Sequence, residues 1–160
     1  MSRPSGSKSR VIILFLACAA LAAFYFVNSA NKVKSPGREW KKGTVTIKDQ
    51  TVDVYLAQTA AERETGLSAF TGIKSDQGML FIFGNAEKPS FWMKDMKFPI
   101  DIIWINNNQI VDITKNLPVQ YDPDLTKYYP NADIDRALEV NAGWIDKNNI
   151  KVGDKIEMVY

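Results

Sequence analysis

A single carboxylate interrupts the most apolar stretch of this 160-residue chain. Asp101 lies inside the run Phe98–Ile105, whose other residues have the apolar composition of a buried strand. An unpaired carboxylate is costly to bury, so the fold has to supply Asp101 with a partner. Lys94 precedes it within the same segment, Ser90–Asn106. We therefore predict an internal ion pair between Lys94 and Asp101, on either side of Pro99.

The start of the chain has the composition of a membrane or export segment. Residues 1–10 are basic, and Val11–Val27 follows without a charged residue. A helix of that length covers roughly 25 Å, slightly less than a hydrocarbon core of about 30 Å. The segment is predicted to be an uncleaved signal anchor or a cleaved signal peptide. A lipoprotein signal ending at Cys18 is a third interpretation, although the residues before Cys18 form a poor lipobox.

Residues 28–43 are predicted to be a linker, and the folded domain to occupy residues 44–160. Basic residues after the apolar segment outnumber those before it, so the positive-inside rule leaves the orientation ambiguous. The export-like basic start nevertheless favours a domain on the extracytoplasmic side of the membrane, with Val11–Val27 as the anchor. Cleavage would make the domain secreted or periplasmic.

Composition excludes several classes of function for the domain. Residues 44–160 contain twelve Lys or Arg against seventeen Asp or Glu, a balance that repels nucleic-acid phosphates. The chain has no histidine, and its single cysteine, Cys18, precedes the domain. The usual general base and the usual zinc, iron–sulfur and thiol chemistry are therefore missing. We expect no cofactor.

Periodicity and turn residues predict six to eight short strands with two small helices. Thr59 and Glu62 have the spacing of a capping box, and Gly66 is predicted to end the helix that they begin. The fold class is therefore α+β, a single small domain with a curved or barrel-like, mainly antiparallel β-sheet. The predicted strands are Thr44–Ile47, Thr51–Ala57, Gly78–Phe83, Ser90–Met93, Ile100–Ile105, Ile110–Thr114, Arg136–Val140 and Lys155–Tyr160, with a second helix over 142–147.

Several sequence blocks together resemble a known family. The residues are Glu62–Leu67, Gly78–Phe83, Phe91–Asp95 with Pro99–Ile102, Ala137–Gly143 and Gly153-Asp154. In this order they resemble the bacterial and archaeal domain of unknown function 192, over roughly residues 44–160. The resemblance implies a compact β-rich domain, often exported or membrane-tethered, with no assigned biochemical activity. The chain departs from the family pattern at Ser68–Phe70, where the family commonly has Met and Arg after Gly-Leu.

Lys94, Asp101 and Glu139 are the candidate acid–base residues of the domain. One interpretation is a cluster that lines a pocket and shifts the pKa of a buried group. The other is a structural ion pair that fixes the register of the hairpin. If Ser90–Lys94 is extended, Trp92 and Lys94 project to one face and are predicted to form a cation–π contact.

A loop-rich stretch offers a weak candidate for calcium. Carboxylates at Asp122, Asp124, Asp133 and Asp135 are the hard oxygen ligands that calcium prefers. Their spacing matches no EF-hand, and aspartate is also common in loops because it forms local turns. Solvated turn residues are therefore the alternative interpretation.

Two functions of different class remain open from the sequence. The first is a non-enzymatic module that binds an envelope protein or glycan. The second is a hydrolase or transferase that uses Lys94, Asp101 and Glu139 as acid–base groups. The absence of histidine and of a nucleophile motif favours the first, and the oligomeric state is not predicted. The candidate ligand-binding residues are Trp92, Lys94, Asp95, Asp101, Glu139, Tyr128 and Tyr129.

Overall fold

The structure, a computed structural model, describes residues 39–160 except 122 and 124. These residues form nine strands, two short α-helices and a 3₁₀ turn at Gly66–Ala69. In chain order the elements are β1 (Lys42–Ile47), β2 (Gln50–Ala57), α1 (Ala60–Thr65), β3 (Gln77–Glu87), β4 (Phe91–Trp92), β5 (Ile100–Asn106), β6 (Gln109–Leu117), β7 (Lys127–Tyr128), β8 (Ile134–Asn141), α2 (Trp144–Lys147) and β9 (Ile156–Val159).

Seven of the strands form one curled sheet, in the order β6-β5-β8-β3-β2-β1-β9. Only the β2–β3 pair is parallel. The two edges approach each other, because the Ile110 amide donates to the Asp154 carbonyl at 3.0 Å and the Ile156 amide to the Asn108 carbonyl at 2.9 Å. The predicted fold class is thus confirmed as a small domain with a curled, mainly antiparallel sheet and two short helices.

The predicted N-terminal segments lie outside the described residues. This holds for the basic region, the apolar segment Val11–Val27 and most of the linker. Over residues 39–160, apart from the two gaps, none of the helices has the length and hydrophobicity that crossing a bilayer requires.

The sheet buries an apolar cluster on each of its two faces. We call them the α2-side cluster, which includes Leu138, Val140 and Ile145, and the β4-side cluster, which includes Phe91 and Ala137. Successive residues of β8 alternate between the clusters because side chains along a strand point to opposite faces. The two buried acids of the central strands, Asp101 on β5 and Glu139 on β8, therefore point to opposite faces of the sheet.

Local sequence signals are confirmed where the partners are close in the chain. The Thr59 hydroxyl accepts from the Glu62 amide at 3.2 Å, and the Glu62 carboxylate accepts from the Thr59 amide at 2.8 Å, as a capping box requires. The β5–β6 turn places Asn107 and Asn108 at φ of 49° and 60°, which asparagine tolerates better than most residues. Both signals depend only on neighbouring residues.

The segment Ser90–Met93 forms less of a strand than predicted. Only Phe91 and Trp92 are extended as β4, and they pair with β7 in a separate two-stranded sheet. β7 lies in the stretch Leu117–Pro130 that the sequence pattern left irregular. The small sheet covers the β4-side cluster, because Phe91 packs edge-to-face against Trp104 of the main sheet with ring centroids 5.0 Å apart.

Candidate functional site

Asp101 is fully buried and faces the α2-side cluster, on the same face of β5 as Ile103. One carboxylate oxygen accepts from the backbone amide of Asn116 at 2.8 Å. The other accepts from the backbone amide of Ile145 at 3.0 Å. The two carboxylate oxygens are thus each matched with a backbone amide, one buried and one partly buried, without a counter-ion.

Helix α2 needs the Asp101 carboxylate as an acceptor because it has no side-chain cap of its own. Its N-cap is Gly143, which has no side chain to accept from the first-turn amides. Asp101 reaches across from β5 and caps Ile145, the second residue of the helix. Asp101 therefore joins the hairpin to α2 and has a structural role.

The predicted ion pair between Lys94 and Asp101 is wrong. Lys94 is exposed and forms no ion pair with any described residue. It lies in the turn after β4, over the β4-side cluster, whereas Asp101 points to the opposite face of the sheet. The prediction failed because it assumed that a buried carboxylate needs a charged partner. Two backbone amides satisfy the Asp101 carboxylate instead.

A cleft of about 300 Å³ opens over the β4-side cluster. Its walls come from α1, the 3₁₀ turn, β3 and the β4 segment. Trp92, Lys94 and Glu139 all line it, so the structure brings together three of the predicted site residues. The other lining residues are Arg63, Glu64, Thr65, Gly66, Leu67, Ser68, Phe81, Phe83, Pro89, Ser90, Phe91 and Met96.

Two cationic side chains hold the walls of the cleft in place. The Arg63 guanidinium donates to the carbonyls of Gln58 at 2.6 Å and Ile82 at 3.0 Å, which ties α1 to β3. The Lys97 ammonium donates to the Ser68 carbonyl at 2.5 Å, which ties the 3₁₀ turn to the β4–β5 connection. These contacts join segments that are distant in the sequence.

Glu139 lies at the base of this cleft. It sits on β8 between Met79 and Ile102 of the adjacent strands, and 5% of its surface is exposed. Its Oε2 atom is sealed from solvent and accepts no hydrogen bond from the described residues. Burial raises the pKa of Glu139 to about 8, so the carboxyl is predominantly protonated at neutral pH.

A glycine brings the neighbouring strand close to Glu139. A Cβ atom at Gly78 would lie 2.5 Å from the Glu139 carbonyl oxygen, so any side chain there would force β3 away from β8. The close pairing of β3 with β8 beside Glu139 therefore requires glycine at position 78.

The remaining predicted binding residues lie outside the cleft lining. Asp95 is exposed and adopts φ of 58° in the turn after β4. Tyr128 packs against the β4-side cluster and its hydroxyl accepts from Gln120 at 2.9 Å, while Tyr129 is exposed. The predicted cation–π contact has a different partner, because the Lys127 ammonium lies 5.8 Å from the centroid of the Trp92 ring.

The acidic loop offers no assembled metal site in the described residues. Asp122 and Asp124 are outside the described part of the chain, and Asp133 is exposed. Asp135 accepts from the Arg136 guanidinium at 2.9 Å. Within residues 39–160 other than the two gaps, no three acidic, Cys or His side chains are grouped to hold a metal ion.

Comparison with solved structures supports the fold. A Sinorhizobium meliloti protein, provisionally described as a transcription regulator, is 26% identical with a TM-score of 0.66, and the match covers 76% of this chain and 96% of that protein. A Novosphingobium aromaticivorans protein of unknown function is 29% identical with a TM-score of 0.66, covering 76% of this chain and 87% of its own. No curated protein shows significant similarity to this chain.

A family model gives the relationship of the whole domain. The model is DUF192, described as "Uncharacterized ACR", and it matches residues 43–158. That range contains the cleft and Glu139. It also contains every strand of the main sheet, apart from the first residue of β1 and the last residue of β9. This chain therefore belongs to the DUF192 family.

Proposed function

We propose that this domain is a non-enzymatic binding module whose ligand occupies the cleft over Glu139. The observation that carries the proposal is the carboxyl of Glu139, buried and unpaired in a cleft that opens to solvent. Leaving a buried acceptor without a partner costs stability, and such groups concentrate at functional sites. A volume of about 300 Å³ is at the small end of the range for ligand pockets. The ligand is therefore a small molecule, or one side chain or sugar unit of a larger partner.

The alternative, a hydrolase or transferase, has lost part of its proposed machinery. Its acid–base set was Lys94, Asp101 and Glu139, and Asp101 caps α2 on the other face of the sheet. Lys94 and Glu139 remain in the cleft without a nucleophile aligned to a base. A binding role needs only the shape and the polarity that the cleft has.

The description of the Sinorhizobium meliloti protein suggests a role at DNA. The charge of this domain opposes that role, since seventeen acidic residues outweigh twelve basic ones over residues 44–160. We therefore do not extend transcription regulation to this chain.

We expect that small fragments will bind in the cleft and that filling it will abolish their binding. Amines, carboxylates, alcohols and monosaccharides at millimolar concentration are titrated into full-length ¹⁵N-labelled protein, and amide shifts are mapped. At least one class should shift amides of the cleft lining. Ser90→Trp places an indole at the mouth and should remove these shifts, while Ser75→Trp, at an exposed position outside the cleft, should retain them.

Failure of the proposal has a clear signature in the same titration. If no class shifts cleft amides, or if Ser90→Trp binds as the natural protein does, the cleft is not a binding site. Measurable turnover of an ester, amide or glycoside that Glu139→Gln abolishes would instead favour the enzyme.

We also propose that the domain is held on the outer side of the membrane by Val11–Val27. The proposal rests on the basic start of the chain and the uncharged segment after it. The many basic residues of 28–43 suit a stalk close to anionic lipid headgroups. The envelope is then the environment in which the ligand is found.

A single engineered thiol tests this orientation, because the domain has no cysteine. In a Cys18→Ser background, Ser75→Cys places one thiol at an exposed position. We expect a membrane-impermeant maleimide to label it in intact cells and the protein to sediment with membranes. Labelling only after lysis would place the domain in the cytoplasm, and recovery in the soluble fraction would contradict the anchor.

A further inference from the structure

We propose that the cleft over Glu139 binds a small organic cation, with an ammonium group held between the Glu139 carboxylate and the surrounding aromatic rings. This inference rests on the proposed function, because it names the ligand class of the same cleft. It follows from three features of the cleft, which are the unpaired carboxyl, the aromatic walls and the charges at the mouth.

The unpaired carboxyl selects among ligand classes. Oε2 of Glu139 is buried and accepts no hydrogen bond within the described residues. A neutral apolar ligand would leave that oxygen unpaired, and an anionic ligand would be repelled by the carboxylate at the alkaline pH at which Glu139 is ionised. An ammonium group supplies the charge that stabilises the ionised carboxylate where water is scarce.

The aromatic walls are suited to the same kind of group. The rings of Phe81, Phe83, Phe91 and Trp92 line the cleft. Ring faces attract cations within about 6 Å of the centroid, and ammonium ligands are recognised in this way. Two of these rings already have a protein cation against them, since the Arg63 guanidinium carbon is 5.3 Å from the Phe83 centroid and the Lys127 ammonium is 5.8 Å from that of Trp92.

The charged groups at the mouth leave Glu139 uncompensated. Arg63, Glu64 and Lys94 are the other charged residues of the lining. Arg63 is bonded to two backbone carbonyls, Glu64 offsets one positive charge, and Lys94 is exposed. The residues directly beside Glu139 on the two neighbouring strands are Met79 and Ile102, and both are apolar. None of these cations forms an ion pair with Glu139 in the described part of the chain, and burial raises the pKa of its carboxyl.

Binding of a cation is then coupled to release of a proton. The Glu139 carboxyl, whose pKa is about 8 in the free protein, must ionise to pair with an ammonium group. Affinity for a permanent cation should therefore rise as the pH rises towards 8 and level off above it. Between pH 6 and pH 9 we expect an increase of about tenfold or more.

Calorimetric titration of the full-length protein tests the inference with matched probes. The cations are choline and n-butylammonium. The controls are 3,3-dimethylbutan-1-ol, a neutral isostere of choline, and 3,3-dimethylbutanoate, its anionic counterpart. At pH 9 we expect one of the cations to bind about tenfold or more tightly than either control, and Glu139→Gln to lose that preference. Lys74→Ala should retain it, because Lys74 is exposed and lies outside the cleft lining.

Each outcome separates this inference from the proposed function. If the alcohol or the carboxylate binds in the cleft as tightly as the cations, the cleft is a binding site but the ligand class is wrong. If a cation binds with no dependence on pH or on Glu139, the proposed pairing is overturned. If none of the probes binds, the cation inference fails, and the fragment titration decides independently whether the cleft binds anything.

Discussion

Asp101→Asn is expected to lower the free energy of unfolding by about 3 kcal/mol, because the buried carboxylate accepts charge-assisted hydrogen bonds from two backbone amides. Asparagine keeps one acceptor oxygen and turns an NH₂ group towards the second amide donor. The cap on Ile145 or the bond to Asn116 is then lost. Urea unfolding followed by tryptophan fluorescence measures the change.

Lys94→Ala is the matched control for Asp101→Asn. Lys94 is exposed and forms no ion pair with a described residue, so its removal should change stability by less than about 0.5 kcal/mol. If the two variants are equally destabilised and the double variant loses no more stability, Lys94 and Asp101 form an ion pair. That result would contradict the capping role of Asp101.

Glu139→Gln is expected to stabilise the protein at alkaline pH by about 4 kcal/mol and to have little effect at pH 5. Folding raises the pKa of Glu139 from the ordinary 4.5 to about 8, so the folded state holds a proton that the unfolded chain releases. The stability of the natural protein therefore falls as the pH rises from about 5 and levels off above 8. Glutamine is neutral at every pH, so the variant does not lose stability in this way as the pH rises.

The prediction is checked by urea unfolding of both proteins at pH 5, 7 and 9. The difference in the free energy of unfolding should grow with pH in favour of the variant. Glu64→Gln is the control, because Glu64 also lines the cleft but is exposed. A constant difference between Glu139→Gln and the natural protein across these values of pH would mean that Glu139 titrates as an ordinary surface acid.

The sequence predicted those parts of the fold whose determinants are local. The capping box of Thr59 and Glu62 and the asparagine turn of the β5–β6 hairpin each depend on a few adjacent residues, and both formed as expected. The pairing of β4 with β7 was missed, because it joins segments far apart in the chain and β7 has only two residues. Strands that short have no periodicity to detect.

The candidate site was predicted in part. The alternation of Arg136–Val140 marks Glu139 as an acid on a buried strand, by the same reasoning that singled out Asp101. The sequence could not show which of the two acids would find hydrogen-bond donors. Asp101 meets amides from α2 and the end of β6, whereas Glu139 lies between Met79 and Ile102 and its Oε2 accepts no hydrogen bond from the described residues; that difference arises from tertiary packing.

Arg63 was missed as part of the site, although it lies in a sequence block typical of the family. It lies in the last turn of a short helix, and the sequence patterns assigned it no role there. The guanidinium instead bonds to the Ile82 carbonyl of β3 and lies over Phe83, contacts that depend on how α1 packs. A rule based on helix position alone could not have predicted them.

The proposed cation site depends on one property of Glu139, which is that its buried carboxyl is uncharged at neutral pH at the base of an open cleft. Its carboxyl carbon can be followed directly by ¹³C NMR of the full-length protein from pH 4 to pH 10, with Glu139→Gln to assign the resonance. We predict a titration midpoint near 8, which moves downwards when a bound cation pairs with the carboxylate. A midpoint between about 4 and 5 would contradict the account, because the carboxyl would then be hydrated and already ionised in the free protein.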